Sequence, residues 1–538
     1  MTAAQPILPE DSAPQHAAAS QTPPRVSRAE RLDEQLDRWS ERLNPILVKE
    51  ARQALKSRVV LAMFLLVLVL AWFWSFVGLS IDGPAAPGRL LLAGYVWILA
   101  FPLAVAIPFS AFQSLAAERE DGTYDLVAIT TLHTRQFLSG RMAVASLQLM
   151  IFLSALAPCI AFTYLLRGVD LLLILLLLSH AVWCSLLLTS FSLFLATLAE
   201  NRQIRVFLSM LLLVVIVIVY FGVSSNVAEW LVRGRQLPYT EIQFWVGQIL
   251  VLTFAASVFY LLHFASIASI GIASENRSTP VRVVMLAQQA LIVGWGAWYA
   301  LGFEEREALE ITLAAGAVYW FVMGALLVGE SPHLHQRGRR RLPESLLGRA
   351  VLTWLQPGPG SGFVFAVANF VAMLVVLQGL GAMLEFRGNR VTFGPMFRGE
   401  MEWTLIALGC HFVIYLGLCR MLIIPLRRIG NIGPALGFVV IFALLMAGTF
   451  TPLVLASMLD LSFSEYGWTQ APSIPATLSE IRRQGPFQTR IFFVPIIGVI
   501  LPAIAALVLL LNLVLVSSEV RRRREATPER VLAERTPR

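Results

Sequence analysis

The sequence predicts an all-α polytopic membrane protein of about twelve transmembrane helices, and three observations carry that prediction. Hydrophobic residues make up 57% of the 538 positions and charged residues 14%, whereas ordinary soluble chains carry about a quarter charged residues. Apolar runs of ~20 residues, each long enough to cross a ~30 Å hydrocarbon layer as a helix, recur along the chain. Between them lie short polar stretches in which arginine collects, as in loops that face anionic headgroups.

The net charge of +8 fits that membrane setting. No basic patch is interleaved with aromatics as base stacking would require, so the expected contact is the lipid bilayer and no nucleic acid. Cys159, Cys184, Cys410 and Cys419 all fall inside apolar runs, where a small buried thiol is the ordinary reading.

Residues 1–27 are rich in Ala, Pro, Gln and Ser; they read as a disordered N-terminal tail without the apolar core of a signal peptide. Residues 28–58 read as an amphipathic interface helix. Leu32, Leu36, Trp39 and Leu43 share one stripe; beyond Pro45 the basic residues Lys49, Arg52, Lys56 and Arg58 follow, a pattern suited to the headgroup plane. Residues 59–272 form a six-span membrane domain, with apolar runs at 59–79, 90–115, 142–166, 171–199, 206–223 and 244–272. Residues 273–517 form a second region of about six spans, at 283–301, 311–329, 363–384, 403–424, 435–458 and 491–516. The runs at 206–223 and 311–329 are the shortest. Residues 518–538 read as a basic cytoplasmic tail. The bias of Lys and Arg near the span ends gives an N-in/C-in orientation.

One polar segment is too structured to be a plain connection. Residues 117–141, AEREDGTYDLVAITTLHTRQFLSGR, carry four consecutive charges at Glu118, Arg119, Glu120 and Asp121. A break at Gly122 and Thr123 follows, then a short amphipathic piece over 124–132, and a helix restarts at Thr134, Arg135 and Gln136. Carboxylates and guanidinium make charge-assisted contacts with a soluble partner, and glycine permits the backbone to separate two helices.

This segment resembles the cytoplasmic coupling region of ABC-2 type transporter permeases. The resemblance rests on Glu118, Arg119, Glu120, Gly122, Thr123, Leu126, Thr130, Leu132, Arg135, Gln136, Gly140 and Arg141. It extends to NPILVKEARQALKSR, residues 44–58, which is similar to the family's amphipathic helix ahead of the first span. Thr131 and Thr134 stand where the family commonly has proline, and Asp125 where it has glutamate. The resemblance covers roughly residues 44–272. It implies the membrane-spanning subunit of an ATP-driven transporter, most often an exporter, in a bacterial plasma (inner) membrane. It further implies two partners, a separate ABC ATP-binding subunit and a second permease copy or related permease. The expected contacts with the ATPase are Glu118, Arg119, Glu120, Asp121, Gly122, Thr123, Arg135 and Gln136.

Phosphate-cradling P-loops need Gly-Lys-Ser or Gly-Lys-Thr. The two lysines of this chain, Lys49 and Lys56, follow Val48 and Leu55. No cofactor is therefore expected on this chain, and ATP would be bound by the partner. No catalytic and no metal-ligating set is assigned. His180 and Cys184 lie four apart on one helical face, but a histidine satisfied by a backbone or hydroxyl partner is the plainer reading. His263 stands alone, and the spans show no paired charges that would mark an ion pathway, which favours a hydrophobic or amphiphilic cargo. Glu304, Glu305, Glu307 and Glu310 read as solvated acids at a helix start. Essential carboxylates there or at Asp460 would instead point to a membrane-embedded transferase acting on a lipid-linked substrate. A non-transporting scaffold is the third reading. The stretch 460–490, containing Tyr466 and Trp468, reads either as a lid or as a simple connection.

Overall fold

The computed structural model describes residues 45–80, 87–121, 134–166, 168–199, 201–271, 277–331, 345, 348, 354–387, 400–427, 435–458, 466–467, 469–484 and 496–522. The expected tail 1–27, residues 28–44 of the interface helix, the loop core 122–133 with Gly122 and Thr123, Asp460 and residues 523–538 of the C-terminal tail lie outside the described residues. Among those described, all regular structure is helical.

A short helix, α1 (Pro45–Leu55), precedes α2 (Arg58–Ser80). The next span, α3 (Pro87–Glu120), is continuous but widens into a π-helical turn at Phe101–Ala106. The first membrane half is completed by α4 (Thr134–Leu165), α5 (Leu171–Thr197), α6 (Arg202–Val232) and α7 (Ile242–Ile270). The second half comprises α8 (Ser278–Phe303), α9 (Glu307–Val328), α10 (Pro359–Arg387), α11 (Glu400–Leu426) and α12 (Ala435–Met458). A short α13 (Ile474–Gln484) and then α14 (Leu501–Arg522), entered through a π-helical turn at Ile496–Ile500, close it. Among the described residues eleven helices are long and apolar enough to cross a membrane, against the expected twelve; α12 has a shorter apolar stretch, Leu436–Pro452.

The two runs that looked shortest in the sequence are full spans. The run at 206–223 lies inside the 31 residues of α6, and that at 311–329 lies inside the 22 of α9 but for Gly329, its C-cap. The polar ends of these helices hid their length, since Arg202, Glu229 and Glu307 are tolerated where a helix leaves hydrocarbon. Trp230 accordingly belongs to the end of α6 rather than to a loop. Asn201 fixes the start of α6, its side-chain oxygen accepting the Ile204 N–H at 3.0 Å.

The halves are two bundles that meet where α7 packs on α8. In the first, α3 is the central helix, with α5 on its C-terminal part and α6 on its N-terminal part. Its π turn coincides with Pro102, and Pro108 follows one turn later. A proline has no N–H to donate; Ser185 of α5 donates its hydroxyl to the Leu103 carbonyl at 2.7 Å within this stretch. In the second bundle α11 and α9 are central, and Trp320, Phe363, Phe365, Phe370 and Phe412 fill the core among them. We call the membrane face carrying α1 proximal and the opposite face distal.

The stretch 460–490 is more than a connection. His411 is the twelfth residue of α11, about 16 Å along the helix from Glu400 at 1.5 Å per residue. There its Nε2 lies 2.9 Å from the Ala471 carbonyl, and the Tyr415 hydroxyl donates to the Pro472 carbonyl at 2.5 Å. Ala471 and Pro472 thus lie at mid-helix depth, and α13 runs from this dip to the distal rim. The Thr477 hydroxyl meets Tyr466 at 2.8 Å inside the dip, and Arg482 reaches Glu310 of α9 at 3.0 Å back at the distal rim. Irregular backbone is tolerated at that depth only when protein surrounds it. Ser473, Thr477 and Ile481 are all buried.

Candidate functional site

The residues singled out in the sequence converge on the proximal face, where α1, the end of α3 and the start of α4 meet. The centre is Arg141, whose side chain is 3% exposed. The helix restarts at Thr134, as expected, and is continuous with the apolar run expected to begin at 142, so Phe137 and Arg141 sit one helical turn apart on one face. The guanidinium carbon lies 4.9 Å from the centroid of the Phe137 ring. From there Arg141 reaches Glu118 of α3 at 2.5 Å and Glu50 of α1 at 3.2 Å, and donates to Ser114 of α3 at 2.7 Å. One buried cation thus ties three elements together.

The interface helix expected to run to residue 58 ends at Leu55, and Arg58 opens α2. Lys49 and Arg52 of α1, Lys56 just beyond it and Arg58 are exposed, while Ile46 is buried against α3 and α4 residues such as Phe112 and Phe137. Glu50 turns inward with it. Burial pushes the Glu50 carboxyl above its ordinary 4.5; Arg141 opposes the shift, Glu118 reinforces it, and Lys49 opposes it. The geometry explains why burial prevails: one guanidinium serves two carboxylates, and Glu50 holds the longer of the two contacts.

The other charges of the segment are also engaged within the chain. Glu120 pairs with Arg205 of α6 at 2.6 Å, and Arg205 donates to Gln113 at 3.0 Å. Arg119 donates to the Thr197 carbonyl at the end of α5. These contacts bind the C-terminal turn of α3 to α5 and α6. Asp121, Arg135 and Gln136 are exposed. Gly122 and Thr123 lie outside the described residues.

The sequence did not reveal a second set of buried charges on the proximal face of the other bundle. Arg282 of α8 is fully buried and pairs with Glu330, just beyond α9, at 2.6 Å. The same carboxylate accepts the Gly358 N–H at 3.0 Å and the Ser278 hydroxyl at 2.8 Å. Arg420 of α11, also fully buried, pairs with Glu519 of α14 at 2.6 Å and donates to the Asn512 side chain at 3.1 Å. Glu519 accepts the Gly360 N–H at 3.1 Å. The expectation that the spans hold no paired charges is therefore corrected. These partners are 48 and 99 residues apart in sequence, and only packing brings them together. Pro359 and the glycines around it start α10 between two carboxylates, and Gly360 has no room for a Cβ beside Glu519.

The histidine readings are simpler. Nδ1 of His180 lies 2.7 Å from the Leu176 carbonyl, one turn back, and His263 stacks on Phe259. Among the described residues no three His, Cys, Asp or Glu side chains gather as a metal site. Glu307 and Glu310 stand in the first turn of α9, and Glu304 and Glu305 precede it in exposed positions.

These features define a class: among the described residues, an all-helical, multi-pass integral membrane protein with buried ion pairs on the proximal face of both bundles. Within that class, no family model, no curated protein and no solved structure matches the chain.

Proposed function

We propose that this chain is the membrane-spanning permease of an ATP-driven ABC-2 type transporter, an exporter working with a separate ATP-binding subunit. The observation that supports this reading best is the Arg141 junction. The three elements on which the resemblance rests, α1, the acidic end of α3 and the Arg-Gln start of α4, are joined by one buried guanidinium. A push on the segment between α3 and α4 would therefore pass to the interface helix and to two spans at once. Side chains held inside such a junction transmit force, and those left exposed receive it. On this reading Glu118, Arg119 and Glu120 anchor the segment, and Asp121 and Arg135 face the ATPase. The proximal face is then cytoplasmic, as the basic residues near the span ends favour. Two permease units would complete the assembly.

The transferase reading draws no support from Glu304, Glu305, Glu307 and Glu310; Asp460 lies outside the described residues. Glu310 is paired with Arg482, and its neighbours are solvated.

The test is gentle purification of the full chain from its native membrane. An ATP-binding protein should accompany it. The double charge reversal Asp121→Lys with Arg135→Glu should reduce that association and uncouple ATP hydrolysis from transport, with membrane insertion unchanged. Isolation without any ATP-binding protein, or association indifferent to the reversal, overturns the proposal.

A further inference from the structure

A slot of about 650 Å³ opens at the distal face between α5, α6 and α7. It exists because consecutive helices diverge: α6 packs on α3, while α7 packs on α5 and α8. Its wall is apolar, with Leu173, Leu177, Val227 and Phe244, and Val223, which also lines it, is exposed.

The polar groups in the slot are placed at graded depths. His180 is nine residues from the distal end of α5, about 13 Å along the helix, and Gln248 is six from the distal end of α7, about 9 Å. The Gln248 amide has no hydrogen-bond partner among the described residues, and His180 uses only Nδ1 on its own helix, which leaves Nε2 free. Amide and imidazole groups at hydrocarbon depth are costly unless something there accepts or donates a hydrogen bond. At the rim, Arg233 is neutralised by Glu229 one turn back, and Arg89 donates to the Gly168 carbonyl at 2.6 Å. Among the charged side chains lining the slot, that leaves Arg235 uncompensated.

We infer that this slot binds an anionic amphiphile taken from the distal leaflet. Its phosphate or carboxylate lies on Arg235, its oxygen-bearing linkage accepts from the Gln248 amide, a hydroxyl of the ligand donates to His180 Nε2, left as an acceptor because Nδ1 donates to the Leu176 carbonyl, and its chain leaves sideways between α6 and α7. The volume lies in the range of small-molecule sites, and an apolar wall with a few polar groups is what such a ligand needs. The inference rests on the slot alone and does not require the ATP-driven reading.

The test uses the full chain in phosphatidylcholine nanodiscs doped either with phosphatidylglycerol or with a single-chain alkyl phosphate, read by native mass spectrometry. The wild type should enrich one anionic amphiphile per chain over phosphatidylcholine; the dopant that is enriched more identifies a bilayer lipid or a free amphiphile as the source. Arg235→Gln should lower that enrichment about fivefold, the effect of one basic residue near an anionic surface. Val223→Trp, at an exposed position, should block the slot and abolish retention without changing the melting temperature. Equal retention by wild type and both variants overturns the inference. So does equal retention of phosphatidylcholine, or cross-linking that finds a second copy of the chain covering Val223 in lipid-free protein.

Discussion

Replacing Arg141 with methionine isolates the junction on which the functional reading depends. Methionine fills much of the same volume and keeps the contact with Phe137, so the change removes charge more than bulk. What remains is a pair of carboxylates, Glu50 and Glu118, facing a cation that is gone. Breaking a buried pair by removing one partner costs about 3–5 kcal/mol. Two features place this case near the lower end, about 3 kcal/mol. Glu118 is 36% exposed and can rehydrate, and Glu50, whose affinity for protons is already raised by burial, can become neutral. At 1.4 kcal/mol per decade, that shifts the equilibrium between docked and released α1 by about 100-fold. Spin labels on Gln53 of α1 and Ser139 of α4 would report it as a longer, broader distance distribution. The triple variant Arg141→Met, Glu50→Gln, Glu118→Gln should recover most of the docking, because a neutral site has no unpaired charge. If Arg141→Met leaves the distance unchanged, or if the triple variant is as loose as the single one, electrostatic tying is not what holds α1.

Three further outcomes follow from the same structure. Because the folded-state pKa of Glu50 is raised, docking of α1 is strongest at low pH; it weakens as pH rises from about the ordinary 4.5 through the raised value, and Glu50→Gln should flatten that slope in the same distance measurement. Gly437→Ala should separate α12 from α9 and lower the melting temperature, since the added Cβ would collide with the Ala325 carbonyl, whereas Gly222→Ala meets open space and should change stability by less than about 0.5 kcal/mol. His411→Leu should cost about 1–3 kcal/mol, because the imidazole that lies between the Ala407 and Ala471 carbonyls and can donate to one of them is lost; faster proteolysis at the distal segment around α13 would report it, and unchanged proteolysis would show that the dip is held by other contacts.

Much of this molecule was readable from the residue order, for a local reason. A span is a run of apolar side chains, and hydrocarbon imposes that requirement on each run separately, so the helices could be found without knowing their neighbours. The exposure of the basic residues was equally local: Lys49 and Arg52 of α1, Lys56 just beyond it and Arg58 at the start of α2 are all exposed. Helix ends were less legible. Arg141 was expected at the edge of a span; it is in fact a full two turns inside α4, because a charged residue ends a hydropathy run but need not end a helix.

What only the tertiary structure decided is which charges are buried and with whom. The sequence marked Glu118, Arg119 and Glu120 as one acidic and basic run. Packing sends them to three different partners, Arg141, the Thr197 carbonyl and Arg205. The pairs Arg282–Glu330 and Arg420–Glu519, and the dip of 466–484 to His411, have no signature in the order of residues. Hydrophobicity is a property each residue brings to the membrane on its own. Ion pairing depends on the distance between groups far apart in sequence, and that distance exists only once the helices have packed.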